Sequence, residues 1–381
     1  MLLRMALQVL IVPDKFKGTL TAAEAAAAMA RGWRRERPAD GLELLPMSDG
    51  GDGFGEVMSA ALNARVKTVQ TVDSLGQPCT AQWWWHAATG TAIIESAKIM
   101  GLAQLPAGAP HPFERDTFGL GAAVRAAAAV GARRCLVGIG GSATNDGGFG
   151  LARSLDWEFF DRAGAPITRW PELHRLHSLQ VPRRKHWFPS LIVAVDVRNR
   201  LLGARGCTRV YGPQKGLLPE DFAAAERCLR RLATVTRRQL GRDYAIEPGS
   251  GAAGGLGFGF RCFLGARLEP GFELFAHHAG LARRLRAADL VLTGEGAIDK
   301  STLMGKGVGQ VADWCRRRGI PCLGLAGAVT ARHPAKGGFT QARGLVDLTT
   351  LEEAKARPAH WLTELAREMG RSFVGGPIAN H

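Results

Sequence analysis

Short apolar runs alternate with amphipathic stretches at the start of this chain. Val9 to Val12 reads as a buried strand, and Thr21 with Glu24 three residues on forms a capping-box signature for a helix to about Arg35. A second run near Leu42 to Leu45 leads through the glycine-rich Asp49 to Gly53 into a helix through Met58. Two strand-loop-helix units in succession predict a parallel sheet.

The period changes after Arg65. Val66 to Val72, Thr80 to His86 and Thr91 to Glu95 read as strands joined by short turns without helices, which predicts an antiparallel insertion. Trp83, Trp84 and Trp85 occupy consecutive positions of one such strand and are expected to pack on both of its faces. Helical spacing returns from Gly119 to Gly131, followed by a strand from Cys135 to Ile139. It returns again from Glu220 to Leu240, after the apolar strand Leu191 to Val195. Near the end, Ala288 to Thr293 and Cys322 to Ala326 read as strands, and Gly305 to Arg318 and Leu351 to Met369 as helices.

Two α/β segments thus flank a mixed centre, with no repeat of fixed period. This predicts a discontinuous domain formed by 1–65 and 286–381, together with part of 117–150, and an inserted mixed α/β domain over 66–285.

Composition narrows the class. A chain of 381 residues, 46% apolar and only 22% charged, can bury large cores and fits a soluble globular enzyme. The formal charge of +15 raises nucleic acid as a partner. However, the arginines are scattered through helical stretches such as Arg230 to Arg238 and Arg283 to Arg286, without interleaved aromatics. No nucleic acid is therefore expected; a positive field would instead help attract a nucleotide and a small carboxylate. Seven cysteines with no CxxC pair predict a reduced, cytoplasmic protein. Leu7 to Val12 is too short for a membrane span.

Four extended stretches end in glycines and carboxylates: Pro13 to Gly18 (PDKFKG), Ser48 to Gly53 (SDGGDG), Val137 to Gly150 (VGIGGSATNDGGFG) and Thr293 to Asp299 (TGEGAID). Ligands of open α/β sheets gather at the carboxyl ends of strands, so the four predict one shared cleft. In the third, Gly140, Gly141, Gly147 and Gly148 would let backbone approach phosphate oxygens. Ser142, Thr144 and Asn145 add neutral donors, and Asp146 is a candidate Mg²⁺ partner. A tight strand-to-helix turn would use the same glycines. Lys15, Lys17, Lys215, Lys300 and Lys306, half of the ten lysines, lie in or beside such loops and suit phosphate or carboxylate contacts.

Other chemistries lack their motifs. Gly305-Lys306 is followed by Gly307, so there is no GxxxxGK[ST]; there is no protein-kinase catalytic loop, no HExxH, and no GxGxxG after Val9 to Val12. His277 and His278 read as structural or surface residues. Backbone-rich loops with carboxylates and lysines are the equipment of Mg²⁺-dependent phosphoryl transfer, which works by positioning and charge neutralisation. A hydroxyl acceptor also needs a base, and Asp196, closing a strand, is a candidate base or metal ligand, with Asp14, Asp49 and Asp299 as competitors.

The same residues carry a resemblance. PDKFKGTLTAAEAA from Pro13, SDGGDGF from Ser48, AIIESA from Ala92, GIGGSATNDGG from Gly138, YGPQKG from Tyr211, GAAGGLG from Gly251 and LTGEGAID from Leu292 follow the order of the bacterial glycerate kinase family. The chain resembles that family over nearly its whole length. The resemblance implies a flavodoxin-like (Rossmann-like) parallel-sheet domain interrupted by a restriction-enzyme-like mixed α/β domain, with the active site in the cleft between them. It also implies phosphorylation of D-glycerate by ATP with Mg²⁺, usually giving 2-phosphoglycerate.

The resemblance does not assign roles residue by residue. Our expectation is that Asp196, Lys15 and Asp14 are catalytic. Lys17, Gly140, Gly141, Ser142, Thr144, Asn145, Gln214, Lys215, Gly294, Glu295 and Asp299 are expected to bind substrate or phosphate, and Asp49, Asp52 and Asp146 the metal. Some positions depart from the family pattern. Ala297 stands where an arginine is common, Arg198 and Arg200 replace Asn and Pro, and Arg115-Asp116-Thr117-Phe118-Gly119 stands in place of TTSxG. A related hydroxy acid as acceptor, or a silent ligand-binding relative, are the alternatives.

Overall fold

Val9 to Val12 are fully buried within the strand Gln8–Pro13, as a continuous apolar run requires when both faces of a parallel sheet are covered. The computed structural model describes residues 6–373. By internal contacts the chain divides into two units, residues 1–49 with 272–381, and residues 50–271. These boundaries differ from 65/66 and 285/286, and 117–150 lies wholly in the second unit rather than partly in the first.

In the first unit five parallel strands stand in the order Gln341–Gly344, Cys322–Val329, Leu290–Ile298, Gln8–Pro13, Gly41–Leu44. Numbered along the chain within this unit, that order is 2-1-3-4-5, the flavodoxin-like arrangement. The helix Ala22–Glu36 begins at the expected capping box. The Glu24 amide donates to Thr21 Oγ1 at 3.2 Å, and the Thr21 amide donates to Glu24 Oε2 at 2.9 Å. It packs against the helix Pro358–Ser372 through a core containing Met29, Trp33, Leu362 and Leu365.

Two expectations here are corrected. The strand expected to end at Thr293 runs on to Ile298, because Glu295 to Ile298 continue pairing with the strand Cys322–Val329. Gly294 serves close packing; a Cβ on it would lie 1.9 Å from the Leu325 carbonyl oxygen. The single helix expected from Leu351 to Met369 is two, Leu351–Ala356 and Pro358–Ser372. Pro358 has no amide to donate back and starts a new helix.

The second unit holds a six-stranded sheet in the order Arg267–Pro270, Ser190–Val195, Arg134–Gly138, Thr91–Glu95, Pro78–His86, Arg65–Val72. The first four strands are parallel, and the last two complete an antiparallel edge. Trp83 and Trp84 are both buried, although neighbours on a strand point to opposite faces. Trp83 joins the main core, and Trp84 packs on Gly55 of the helix Phe54–Leu62. Among the described residues no helix is long and apolar enough to cross a membrane.

Candidate active site

The first unit gathers carboxylates at one point. In a 2-1-3-4-5 sheet the strand order reverses between the first and third strands, and ligands bind beyond the carboxyl ends there. Here that point lies where Pro13 pairs with Gly294 and the Asp14 amide donates to the Gly294 carbonyl at 2.8 Å. Asp14 and Glu295 therefore leave neighbouring strands side by side. The Met47 amide donates to the Pro13 carbonyl at 2.9 Å, which brings the segment ending in Asp49 to the same place.

Electrostatics confirms the crowding. The Asp14 carboxyl is pushed up to about 8, first by burial, next by the charge of Asp49, with Glu295 adding to it. Opposing this are the Lys15 amide, which donates to Asp14 Oδ1 at 2.7 Å, and the Lys15 ammonium. Burial also raises Glu295, whose Oε1 accepts from Thr302 Oγ1 at 2.7 Å, and Asp299 and Asp49 add repulsion. Asp299 has a different task. Its Oδ1 accepts from the Ser301 hydroxyl at 2.5 Å and from the amides of Ser301 and Thr302 at 2.7 and 3.2 Å, so it caps the turn Lys300–Leu303. These bonds, Ser301 first, hold its carboxyl below the usual range. Lys17, Lys300 and Lys306 are exposed.

In the second unit, the loop after the strand Arg134–Gly138 is tied down from within. Asp146, expected on a metal, is fully buried. Its Oδ2 accepts from Thr117 Oγ1 at 2.7 Å, the Thr117 amide at 3.0 Å and the Gly150 amide at 2.9 Å; its Oδ1 accepts from the Gly148 amide at 3.1 Å. Four donors bind its two oxygens, so Asp146 clamps the loop. Burial raises its carboxyl, and these bonds oppose the rise.

The expected neutral donors also bond within this unit. Ser142 Oγ lies 2.9 Å from Thr144 Oγ1 and accepts from the Thr144 amide at 3.2 Å. Asn145 Nδ2 donates to Thr208 Oγ1 at 3.1 Å, and all three side chains are buried. Lys215 is buried too, and its ammonium donates to the Thr144 carbonyl at 2.5 Å. Burial pushes it down to about 8, against the opposing pull of Cys207 and Asp146. Ser142, Thr144 and Lys215 thus brace the loop from within, while Asn145 Oδ1 is buried without a hydrogen-bond partner. Gln214 and Asp196 are exposed; Asp196 follows the strand Ser190–Val195 and acts on Tyr211, whose hydroxyl, pushed up to about 12 mainly by burial, donates to Asn199 Oδ1 at 2.7 Å.

Gly140 and Gly141 are the open part of this loop. Gly141 has φ of +76°, and a Cβ there would fall 1.6 Å from Asp52 Oδ1. Among the described residues no three His, Cys, Asp or Glu side chains form a group able to hold a metal ion. Three supports escaped the sequence reading. Thr117 lay in an unfamiliar RDTFG segment. Arg115, in the same segment, donates to the carbonyls of Pro110 and Lys215 at 2.9 Å each. Glu95 entered the sequence reading only as the last residue of a strand.

The Glycerate kinase family profile matches residues 9–374. The chain belongs to the glycerate kinase family. It is 35% identical to the glycerate kinase of Halalkalibacterium halodurans over 368 residues, covering 95% of this chain and 97% of that protein. It is 34% identical to the glycerate 2-kinase of Escherichia coli K12 over 329 residues, 85% of this chain and 86% of the other. A crystal structure from Salmonella typhimurium LT2, designated glycerate kinase 2, superposes with a TM-score of 0.81 at 34% identity, over 96% of this chain and 98% of that one. Glycerate kinase family membership makes this chain a kinase, with ATP as phosphoryl donor.

Proposed function

We propose that this glycerate kinase family member transfers the γ-phosphoryl group of ATP to D-glycerate and yields 2-phosphoglycerate, the reading supported by its relatives' names. The observation that carries the chemistry is the carboxylate set Asp14, Asp49 and Glu295 at the switch point of the parallel sheet.

That set fits Mg²⁺. The ion takes hard oxygen ligands, and one or two protein carboxylates suffice when substrate phosphates supply the rest. Burial raises Asp14 first and the charge of Asp49 next, and a cation would relieve that repulsion. Asp14 and Asp49 would hold it, and when bound it would neutralise charge on the phosphates. Lys15, whose amide donates to Asp14, would balance charge on the transferring group.

The backbone of Gly140 and Gly141 supports the phosphates in our reading, on a loop made rigid by Asp146, Lys215 and the internal hydroxyls. Asp196 accepts the proton of the acceptor hydroxyl. The hydroxyl oxygen forms the new bond to the γ-phosphorus, the bond from that phosphorus to the bridging oxygen breaks, and ADP leaves. Asp196 suits this role because it is exposed at the carboxyl end of a parallel strand.

ADP release with ATP, Mg²⁺ and D-glycerate, with L-glycerate and larger hydroxy acids in parallel, tests the reading, and phosphorus NMR identifies the product. Turnover with D-glycerate to the 2-phosphate is expected. Turnover only with another acid would transfer the reading to that acceptor and make Ala297, Arg198 and Arg200 the first residues to revert. No turnover with any acid would overturn it.

A further inference from the structure

Glu95 is buried at the carboxyl end of the strand Thr91–Glu95, in register with Gly138, where the glycine-rich loop begins. Its two oxygens reach away from that loop. Oε1 accepts from the Gly53 amide at 3.0 Å and Oε2 from the Gly55 amide at 2.8 Å, residues 42 and 40 positions earlier in the chain. These are the opening amides of the helix Phe54–Leu62, whose preceding residue, Gly53, has no side chain with which to cap it.

A helix of this kind is ordinarily capped from the adjacent residue. Gly53 cannot be replaced cheaply by a capping serine or aspartate, because its φ of +88° lies in the left-handed region that favours glycine. Taking the cap from a strand in the middle of the sheet has a different result: it joins two loops. The other contacts between them follow the same line. The Ser96 amide donates to the Gly138 carbonyl at 2.9 Å, and the Gly140 amide donates to the Gly50 carbonyl at 3.0 Å. The Phe54 ring fills the space where a Cβ on Gly138 would lie, 2.5 Å from Phe54 Cδ1, and Asp52 Oδ1 lies against Gly141. Lys98, ion-paired with Glu56 at 2.5 Å, also acts on Glu95 and Asp52, placing a cation over the joint.

We infer that Glu95 is a positioning residue, whose carboxylate locks the Gly50–Gly53 loop to the Gly138–Asp146 loop so that both hold a fixed geometry during phosphoryl transfer. This rests on the reading of the second loop as a phosphate support. Transfer is sensitive to small misplacements, so a joint of this kind acts on turnover more than on acceptor binding. Glu95 touches neither acceptor nor nucleotide in this account.

Glu95→Gln tests it, because glutamine keeps the volume and one acceptor oxygen but sets an NH₂ group against an amide. Hydrogen exchange followed by mass spectrometry, together with steady-state kinetics, reads the effect. The expected result is exchange about tenfold faster in both 50–56 and 138–146, with kcat reduced about tenfold and the KM for D-glycerate within about threefold. Glu95→Ala, with neither acceptor, should go further in the same direction. Faster exchange confined to 50–56, or kcat within about twofold of the parent, would overturn the inference and leave Glu95 a helix cap. The phosphate reading is tested separately by adding ATP to the parent protein: it predicts slowed exchange in 138–146. Failure there would remove that reading, while the joint would still stand or fall on the Glu95→Gln exchange pattern.

Discussion

The hydroxyl of Thr117 and its own amide both donate to one oxygen of Asp146, at 2.7 and 3.0 Å. The same hydroxyl accepts from the Leu151 amide at 2.8 Å, so a single side chain links the clamp to the helix that follows the loop. Asp146→Asn replaces an acceptor with a donor facing amides that are already donors. We expect a loss of about 2–4 kcal/mol in unfolding free energy, and about 1–2 kcal/mol for Thr117→Val, read from urea denaturation. If Asp146 held a metal instead, the asparagine variant would lose Mg²⁺ dependence and keep its stability.

Asp14 gives a pH dependence with a definite sign. Its carboxyl ordinarily titrates near 3.8 and is raised to about 8 in the fold, so between those values the folded chain keeps a proton that the unfolded chain has released. Its contribution to stability is complete below the lower value and is lost as pH rises through the upper one. Asp14→Asn removes that loss. The variant should gain in urea midpoint over the parent at pH 9 without metal, and the gain should vanish toward pH 4. An equal difference at both ends would sink the assignment.

Gly141→Ala meets two penalties at once, a left-handed backbone at φ of +76° and a methyl 1.6 Å from Asp52 Oδ1. The loop must move to accept it. Stability should fall by about 1–3 kcal/mol, and ATP affinity, measured by titration calorimetry, should fall about tenfold or more. ATP affinity equal to the parent's would separate Gly141 from nucleotide binding.

Asp299 caps a turn through one oxygen, as its three bonds to Ser301 and Thr302 indicate. Asp299→Asn can still cap, whereas Asp299→Ala should cost about 1 kcal/mol in thermal or urea unfolding. If its role is capping, kcat of the asparagine variant stays within about threefold of the parent. A large fall in kcat with stability intact would return Asp299 to the reaction.

Much of this was legible from local pattern. The Thr21–Glu24 cap, the buried run Val9 to Val12 and the antiparallel strands around Trp83 were all written in short windows of sequence, because capping and period are local physics. The loops were found as well, through their glycines. What their side chains do was not legible. Ser142, Thr144, Asn145 and Asp146 have the composition of a ligand set, but their partners, Thr117 and Thr208, lie 29 and 63 positions away from Asp146 and Asn145. Composition can show that a loop is polar; which way its polar groups turn is decided by whatever packs beneath it. The strand through Gly294 and Gly296 was missed for a related reason, since glycine marks both a turn and a place where a neighbouring strand comes close.

The hydrogen bond from Thr293 Oγ1 to the Val12 carbonyl spans 281 positions in the chain. At the roughly 5–20 residues per second of translation, Val12 waits about 15–60 seconds for its sheet neighbour to be made. In that interval residues 50–271 are complete and free to fold as a continuous unit, while the apolar strand Gln8–Pro13 has only Gly41–Leu44 beside it. The newborn chain therefore carries an unfinished sheet edge for most of its synthesis.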